Sequence, residues 1–243
     1  MRVLPVIDLK DGSVVRGVAG RRDEYRPMVS RLCASCSPRE VARAFREQLG
    51  LTDVYLADLD AIGGATPAFA TFVELRAHGA RLWVDAGVRD FADAEPLVEA
   101  CVDQIIIGLE TIAGLPALED ACRRIGPDRV VFSLDLKDRK PLTDPSSWRG
   151  SIDAWSIASQ AVAVGVRRMI VLDVARVGME DGIGTEDLCI RLGREFPHLE
   201  LIAGGGVRGP SDLHELKRCG VSWALVASAL HDGRIGREDL QEL

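Results

Sequence analysis

The chain has 243 residues, of which 47% are hydrophobic, and a formal net charge of −7. This length and apolar content suffice for one large core, and the acidic balance, with no cluster of Lys and Arg, argues against nucleic acid as the main partner, because phosphate backbones demand concentrated positive charge. No apolar run approaches a membrane span and the first residues enter a strand, so a cytoplasmic protein with no signal peptide and no membrane role is expected.

Apolar runs of strand length alternate with longer amphipathic stretches from one end to the other. The run Val3-Leu4-Pro5-Val6-Ile7 predicts a strand over 2–8, ending at Asp8. Ser37-Pro38-Arg39-Glu40 opens the first helix, with Ser37 as cap, Pro38 in the first helical position and Glu40 closing a capping box. A strand over 53–59 follows, and Thr66-Pro67 opens the second helix in the same manner. Gly50 and Gly79 fall just past the ends of these two helices, where a left-handed residue is needed. Further strands are predicted over 81–86, 103–108, 129–135, 168–174, 199–204 and 222–227, and Pro210-Ser211 starts the helix that carries Asp212, Glu215 and Leu216. The loops over 9–36, 136–151 and 175–184 are longer than a connection needs, and all three follow strands.

Several segments occur twice. Asp8-Leu9-Lys10-Asp11 returns as Asp135-Leu136-Lys137-Asp138, at an offset of 127. Ala86-Gly87-Val88-Arg89 answers Gly205-Gly206-Val207-Arg208 at an offset of 119, where Asp93 also matches Asp212 and Val102 matches Val221. Ala57-Asp58-Leu59 pairs with Leu172-Asp173-Val174 at an offset of 115. Matches in one order at similar offsets indicate two homologous halves, about 1–124 and 125–243. Eight strands with intervening helices, in two equivalent halves of four, predict an α/β fold: a single (β/α)8 TIM barrel built from two half-barrels.

In such a barrel the first and fifth strands are opposed, so Asp8 and Asp135 face each other across the mouth. Two carboxylates around a small molecule suit one general acid and one general base, provided their surroundings push the two pKa values apart. Strand-end Asp residues often merely cap loops, but a matched pair at opposed ends favours catalysis. Asp58 and Asp173 form a second matched pair. A structural role, holding Lys10, Lys137 or another basic group, is expected for Asp58; for Asp173 that role and a place in the site stand equal, and it is grouped with the catalytic residues. Gly204-Gly205-Gly206-Val207-Arg208 is the best phosphate signal, since glycine lets backbone N–H groups approach an anion. Ala227 and Ser228, at the end of the eighth strand, complete it. The corresponding first-half site, Gly87, Arg89 and Gly108, is weaker, because Asp85-Ala86 and Leu109 replace glycines and a hydroxyl. Lys10 is read with the substrate-binding set.

Histidines 78, 198, 214 and 231 form no cluster. Cys33 and Cys36 make a lone CxxC that no second pair completes, and the other four cysteines read as small buried hydrophobes. No metal, no cofactor and no obligatory protein partner are expected.

The segments Ile7-Asp8-Leu9-Lys10-Asp11-Gly12 with Val15-Arg16, Asp58-Leu59-Asp60-Ala61, Ser133-Leu134-Asp135, Gly204-Gly205-Gly206-Val207-Arg208 and Asp232-Gly233-Arg234-Ile235 together resemble the histidine-biosynthesis sugar isomerase family. This family comprises the phosphoribosylformimino-aminoimidazole-carboxamide ribotide isomerase and the cyclase barrel of imidazole glycerol phosphate synthase. The resemblance covers essentially the whole chain. It implies an Amadori rearrangement of a phosphorylated aminoaldose to an aminoketose, with Asp8 and Asp135 as the acid–base pair and a phosphate site in each half. The chain departs from the family pattern at Asp85-Ala86, Gly108-Leu109, Leu172-Asp173 and Val18-Ala19-Gly20-Arg21-Arg22-Asp23, and Ala227-Ser228 is closer to the cyclase. A divergent member is therefore expected. The leading reading is a cofactor-free aldose–ketose isomerase. The alternative is a paralogue acting as lyase, synthase or isomerase on another monophosphorylated substrate, and a phosphate-ligand binder without catalysis is a third.

Overall fold

In a computed structural model, which describes residues 1–148, 150, 152–179 and 182–243, eight parallel strands close into a barrel. They are β1 (Arg2–Lys10), β2 (Asp53–Asp58), β3 (Arg81–Asp85), β4 (Gln104–Gly108), β5 (Val130–Lys137), β6 (Arg168–Asp173), β7 (Glu200–Gly204) and β8 (Trp223–Val226). Each pairs with the next, and β8 pairs back onto β1, with Arg2 opposite Trp223 and Pro5 opposite Val226. The barrel leaves no open edge, and β1 and β5 are diametrically opposed.

The helices that cover the barrel are α1 (Pro38–Ala44, prolonged through Phe45–Leu49), α2 (Phe69–Ala77), α3 (Phe91–Glu99), α4 (Leu115–Ile125), α5 (Ala154–Ala163), α6 (Glu186–Glu195), α7 (Pro210–Arg218) and the short α8 (Arg237–Gln241). The period of two along each strand divides the apolar residues into two cores. One parity faces the helices and builds the larger core, with Val54, Leu56, Val84, Ile105, Ile107, Phe132, Met169 and Val171 among its members. The other parity fills the barrel: Leu4, Tyr55, Trp83, Ile106, Val131, Ile170, Ile202, Trp223 and Leu225. Trp83 and Trp223 meet edge to face at 5.0 Å and floor the interior, and Arg2 stacks on the Trp223 ring.

Local expectations fare unevenly. The eight strands fall where the apolar runs place them, within two residues at each end. Pro38 opens α1, but Ser37 makes no capping hydrogen bond, so no capping box forms there. Nor does Thr66 cap: α2 starts later, at Phe69 after Ala68. Gly50 and Gly79 do adopt left-handed φ values of 76° and 86°. Of the four cysteines expected in the core, Cys122 and Cys189 are buried, whereas Cys101 is exposed and Cys219 is half-buried. The long first loop contains two short strands that extend the sheet: Ser13–Arg16 runs antiparallel to β1, and Arg26–Pro27 runs antiparallel to Ser13–Arg16. The other two long loops contain positions 149, 151, 180 and 181, which lie outside the described residues.

Candidate active site

A cavity of about 650 Å³ opens at the C-terminal ends of the strands. Its wall includes inward residues near the ends of several strands: Asp8 on β1, Asp85 on β3, Gly108 on β4, Asp135 on β5 and Leu172 on β6. Parity explains the choice. Asp8 lies two residues past Val6 and four past Leu4, Asp85 two past Trp83, and Asp135 four past Val131, so each continues an inward-facing row.

Asp58 and Asp173 have the opposite parity, that of Leu56 and Val171 in the outer core. Neither lines the cavity. The Asp58 carboxylate accepts from the N–H groups of Ala61 at 3.1 Å and Ala68 at 2.8 Å, so it braces backbone rather than a lysine. Asp173 accepts from Asp138 N–H at 3.1 Å, Arg139 N–H at 2.8 Å and Ala175 N–H at 3.1 Å. The structure does not bring it to the cavity with Asp8 and Asp135: it ties the loop after β5 to the turn after β6. Nor does it bring Lys10 there. Its Nζ donates to the Arg22 carbonyl at 3.0 Å, which anchors the first loop, and it does not line the cavity.

Burial dominates the electrostatics. It raises the Asp8 carboxyl to about 7, against the lowering field of Arg22. It raises Asp135 to about 7 as well, opposed by the Ser133 hydroxyl, which donates to Oδ1 at 2.7 Å, and reinforced by the negative charges of Asp85 and Glu110. Asp85 rises to about 6, again through burial, with the Gly87 N–H holding it down. The two opposed carboxyls are thus not pushed apart, as a fixed acid and base would require. Each is poised near neutrality.

The roof is assembled from loops. Ala19 N–H donates to the Val177 carbonyl at 2.7 Å, and a Cβ on Gly178 would fall 2.1 Å from the Gly17 carbonyl oxygen, so the loops after β1 and β6 touch backbone to backbone. Arg22 bridges to Glu110 at 2.9 Å across the mouth. Tyr25 hangs beside Asp8, and burial together with that charge pushes its phenol up to about 12.

Of the residues expected to grip phosphate, Gly205, Gly206, Ala227 and Ser228 line one wall together, joined by Arg234. Gly108 lines the opposite wall. Gly87 and Arg89 do not reach the cavity: the Gly87 N–H is turned to Asp85 Oδ1 at 3.1 Å, and the Arg89 side chain faces Asp93. Sequence reasoning gave no role to Tyr55, Arg22, Glu110 or Thr111, all of which line the site. Only Tyr55 carried a signal, as a polar group on an inward strand position. The other three stand on loops whose course no periodicity encodes.

A family model described as histidine biosynthesis protein matches residues 2–236. The chain is 31% identical over 99% of its length to an uncharacterized protein of Methanocaldococcus jannaschii, covering 97% of that protein. It is also similar to proteins named 1-(5-phosphoribosyl)-5-((5-phosphoribosylamino)methylideneamino)imidazole-4-carboxamide isomerase. The one from Syntrophomonas wolfei is 31% identical, with 98% of this chain and 96% of the relative aligned. The one from Desulfitobacterium hafniense is 32% identical, with 96% and 93% aligned. Matches of this extent leave no part of the barrel outside the comparison, and the chain belongs to the histidine biosynthesis protein family.

Proposed function

We propose that the protein is a cofactor-free aldose–ketose isomerase acting on a phosphorylated aminosugar, with Asp8 and Asp135 as its acid–base pair. The observation that carries this reading is the convergence of two carboxyls, both raised to about 7, on one cavity from opposed strands. A carboxyl near neutrality serves equally as donor and acceptor at working pH. The relatives named as isomerases catalyse a reaction of the class such a pair supports.

The substrate phosphate lies against Gly205, Gly206, Ala227 and Ser228, with Arg234 adding charge. The sugar then spans the barrel between the two Asp residues. Protonated Asp135 gives its proton to the ring oxygen, the ring opens, and the nitrogen lone pair forms a Schiff base to C1. Ionised Asp8 removes the proton from C2, and the electron pair of that C–H bond neutralises the iminium as an enolamine. The enol hydroxyl proton is lost as C1 gains one, and the aminoketose results. Proton count is conserved: one is delivered, one is taken, and the two carboxyls exchange states.

Two features support the assignment of Asp135 as acid. The negative charges of Asp85 and Glu110 favour its protonated form, and Arg22 favours the ionised form of Asp8. The test is a direct assay of the aminoaldose-to-aminoketose conversion with purified protein. Turnover lost in both Asp8→Asn and Asp135→Asn supports the reading. Full activity in either variant removes it. The alternative of a different, monophosphorylated substrate within the same chemistry is favoured by the carboxylate of Asp85, where the second half has glycine.

A further inference from the structure

The loops after β3 and β7 stand at the repeat offset of 119, so their donors compare one to one. After β7, no described group accepts from the N–H of Gly206 or Ser228, and both residues line the cavity. A side chain on Gly204 has no room, since its Cβ would fall 2.6 Å from the Leu225 Cβ. After β3, the matching donors are spent inside the protein. Gly87 N–H goes to Asp85 Oδ1 at 3.1 Å, and Leu109 N–H goes to the Ser133 carbonyl at 2.8 Å. The position matching Gly204 is Asp85 itself. The first-half loop thus carries its own anion where the second-half loop offers free donors.

The surroundings of Asp85 complete the contrast. Its Oδ2 lies 3.4 Å from the Tyr55 hydroxyl. Glu110 adds negative charge to the same end of the cavity, and the nearby Arg22 is already bridged to Glu110. A phosphate there meets carboxylates without open backbone donors. A group bearing N–H meets acceptors.

We infer that Asp85 sets substrate specificity: the cavity takes a single phosphate, at Gly205, Gly206, Ala227 and Ser228, and at the opposite end an amine or amide nitrogen that donates to Asp85. This deepens the isomerase reading and rests on it for the chemistry between the two ends. It distinguishes this chain from relatives whose name gives their substrate two phosphoribosyl groups.

The test is a binding measurement that needs no turnover. Titration of the whole protein with inorganic phosphate should show one site, which Ser228→Glu abolishes. Asp85→Gly, which frees the Gly87 N–H and removes the charge, should add a second. An aminoalkyl phosphate should bind wild type about tenfold more tightly than the hydroxyalkyl phosphate of equal length, the size of one charge-assisted hydrogen bond. Asp85→Asn, which keeps an acceptor for Gly87 and hence the loop, should erase that preference while leaving phosphate binding unchanged. Two equal phosphate sites in wild type, or an amine preference that survives in Asp85→Asn, overturns the inference, and neither result depends on Asp85→Gly folding. A protein that isomerises an aminoaldose yet binds two phosphates loses only this inference. One that binds a single phosphate but does not isomerise loses only the proposed reaction.

Discussion

Replacing Ser133 by alanine removes one hydroxyl from the barrel interior and addresses the proposed acid–base pair without touching either carboxyl. The Ser133 Oγ–H donates to Asp135 Oδ1 at 2.7 Å, and the residue is 1% exposed, so no water replaces the lost donor. A hydrogen bond to a charged group is worth about 1.5–3 kcal/mol, and 1.4 kcal/mol is about one pH unit. The bond stabilises the ionised form, so its loss moves the Asp135 carboxyl upward, from about 7, by roughly one to two pH units. The assay is kcat/KM against pH. With Asp135 as the acid, the alkaline limb of the profile moves up by that amount while the acidic limb, set by Asp8, stays in place. Movement of the acidic limb instead reverses the two roles. A folded, active variant in which neither limb moves refutes the involvement of Asp135 in proton transfer.

Asp8→Asn and Asp135→Asn are each expected to lower turnover by about 10²–10⁴-fold, the usual contribution of a general acid or base, measured in the same isomerase assay. Asp135 titrates at about 7 in the fold against 3.8 for the free group, so the folded chain binds an extra proton between those values and stability falls as pH rises through that window. Asp135→Asn should therefore melt higher than wild type at pH 8, by an amount equivalent to about 1–3 kcal/mol, with the gain gone near pH 4. A thermal melt with no such pH dependence contradicts the raised carboxyl. Asp173→Ala leaves three backbone N–H groups without an acceptor and should cost about 1–3 kcal/mol in denaturant unfolding, while turnover falls far less than in Asp8→Asn. Dialysis against EDTA should leave activity unchanged, and a loss restored by a divalent metal would overturn the metal-free mechanism.

The barrel was legible because its signal is long-range and redundant. Eight apolar runs, bounded by glycine and proline, recur at strand spacing, and the repeat of Asp8-Leu9-Lys10-Asp11 as Asp135-Leu136-Lys137-Asp138 places matched acids on opposed strands. The structure turns Asp173 away from the cavity, in keeping with its parity: it follows Val171, and Val171 faces the helices. A strand-end position alone does not decide which way a carboxylate points. The period of two does. Lys10 stays out of the cavity for another reason. It lies beyond the last barrel-facing residue, where a β-hairpin turns the chain, and its long side chain found the Arg22 carbonyl. Arg22, Glu110 and Thr111 come from loops, whose conformation depends on partners far along the chain and leaves no local pattern.

The similar elevation of Asp8 and Asp135 bears on how a symmetric scaffold would direct a polar reaction. Two carboxyls poised alike at opposed strand ends do not by themselves choose which one starts protonated. Small biases exist, from Arg22 beside Asp8 and from Asp85 and Glu110 beside Asp135, but each opposes or adds to a larger and common burial effect. The stronger asymmetry lies in how substrate is seated. One wall offers the open N–H groups of Gly206 and Ser228, while the matching wall has spent its donors on Asp85 and Ser133. In the proposed reaction, a phosphate held on the first wall orients the sugar in one sense only, so the ring oxygen faces one carboxyl and C2 the other. Binding then breaks the tie that the fold leaves standing, and the divergence of the two loops matters to catalysis even though neither loop supplies the proton.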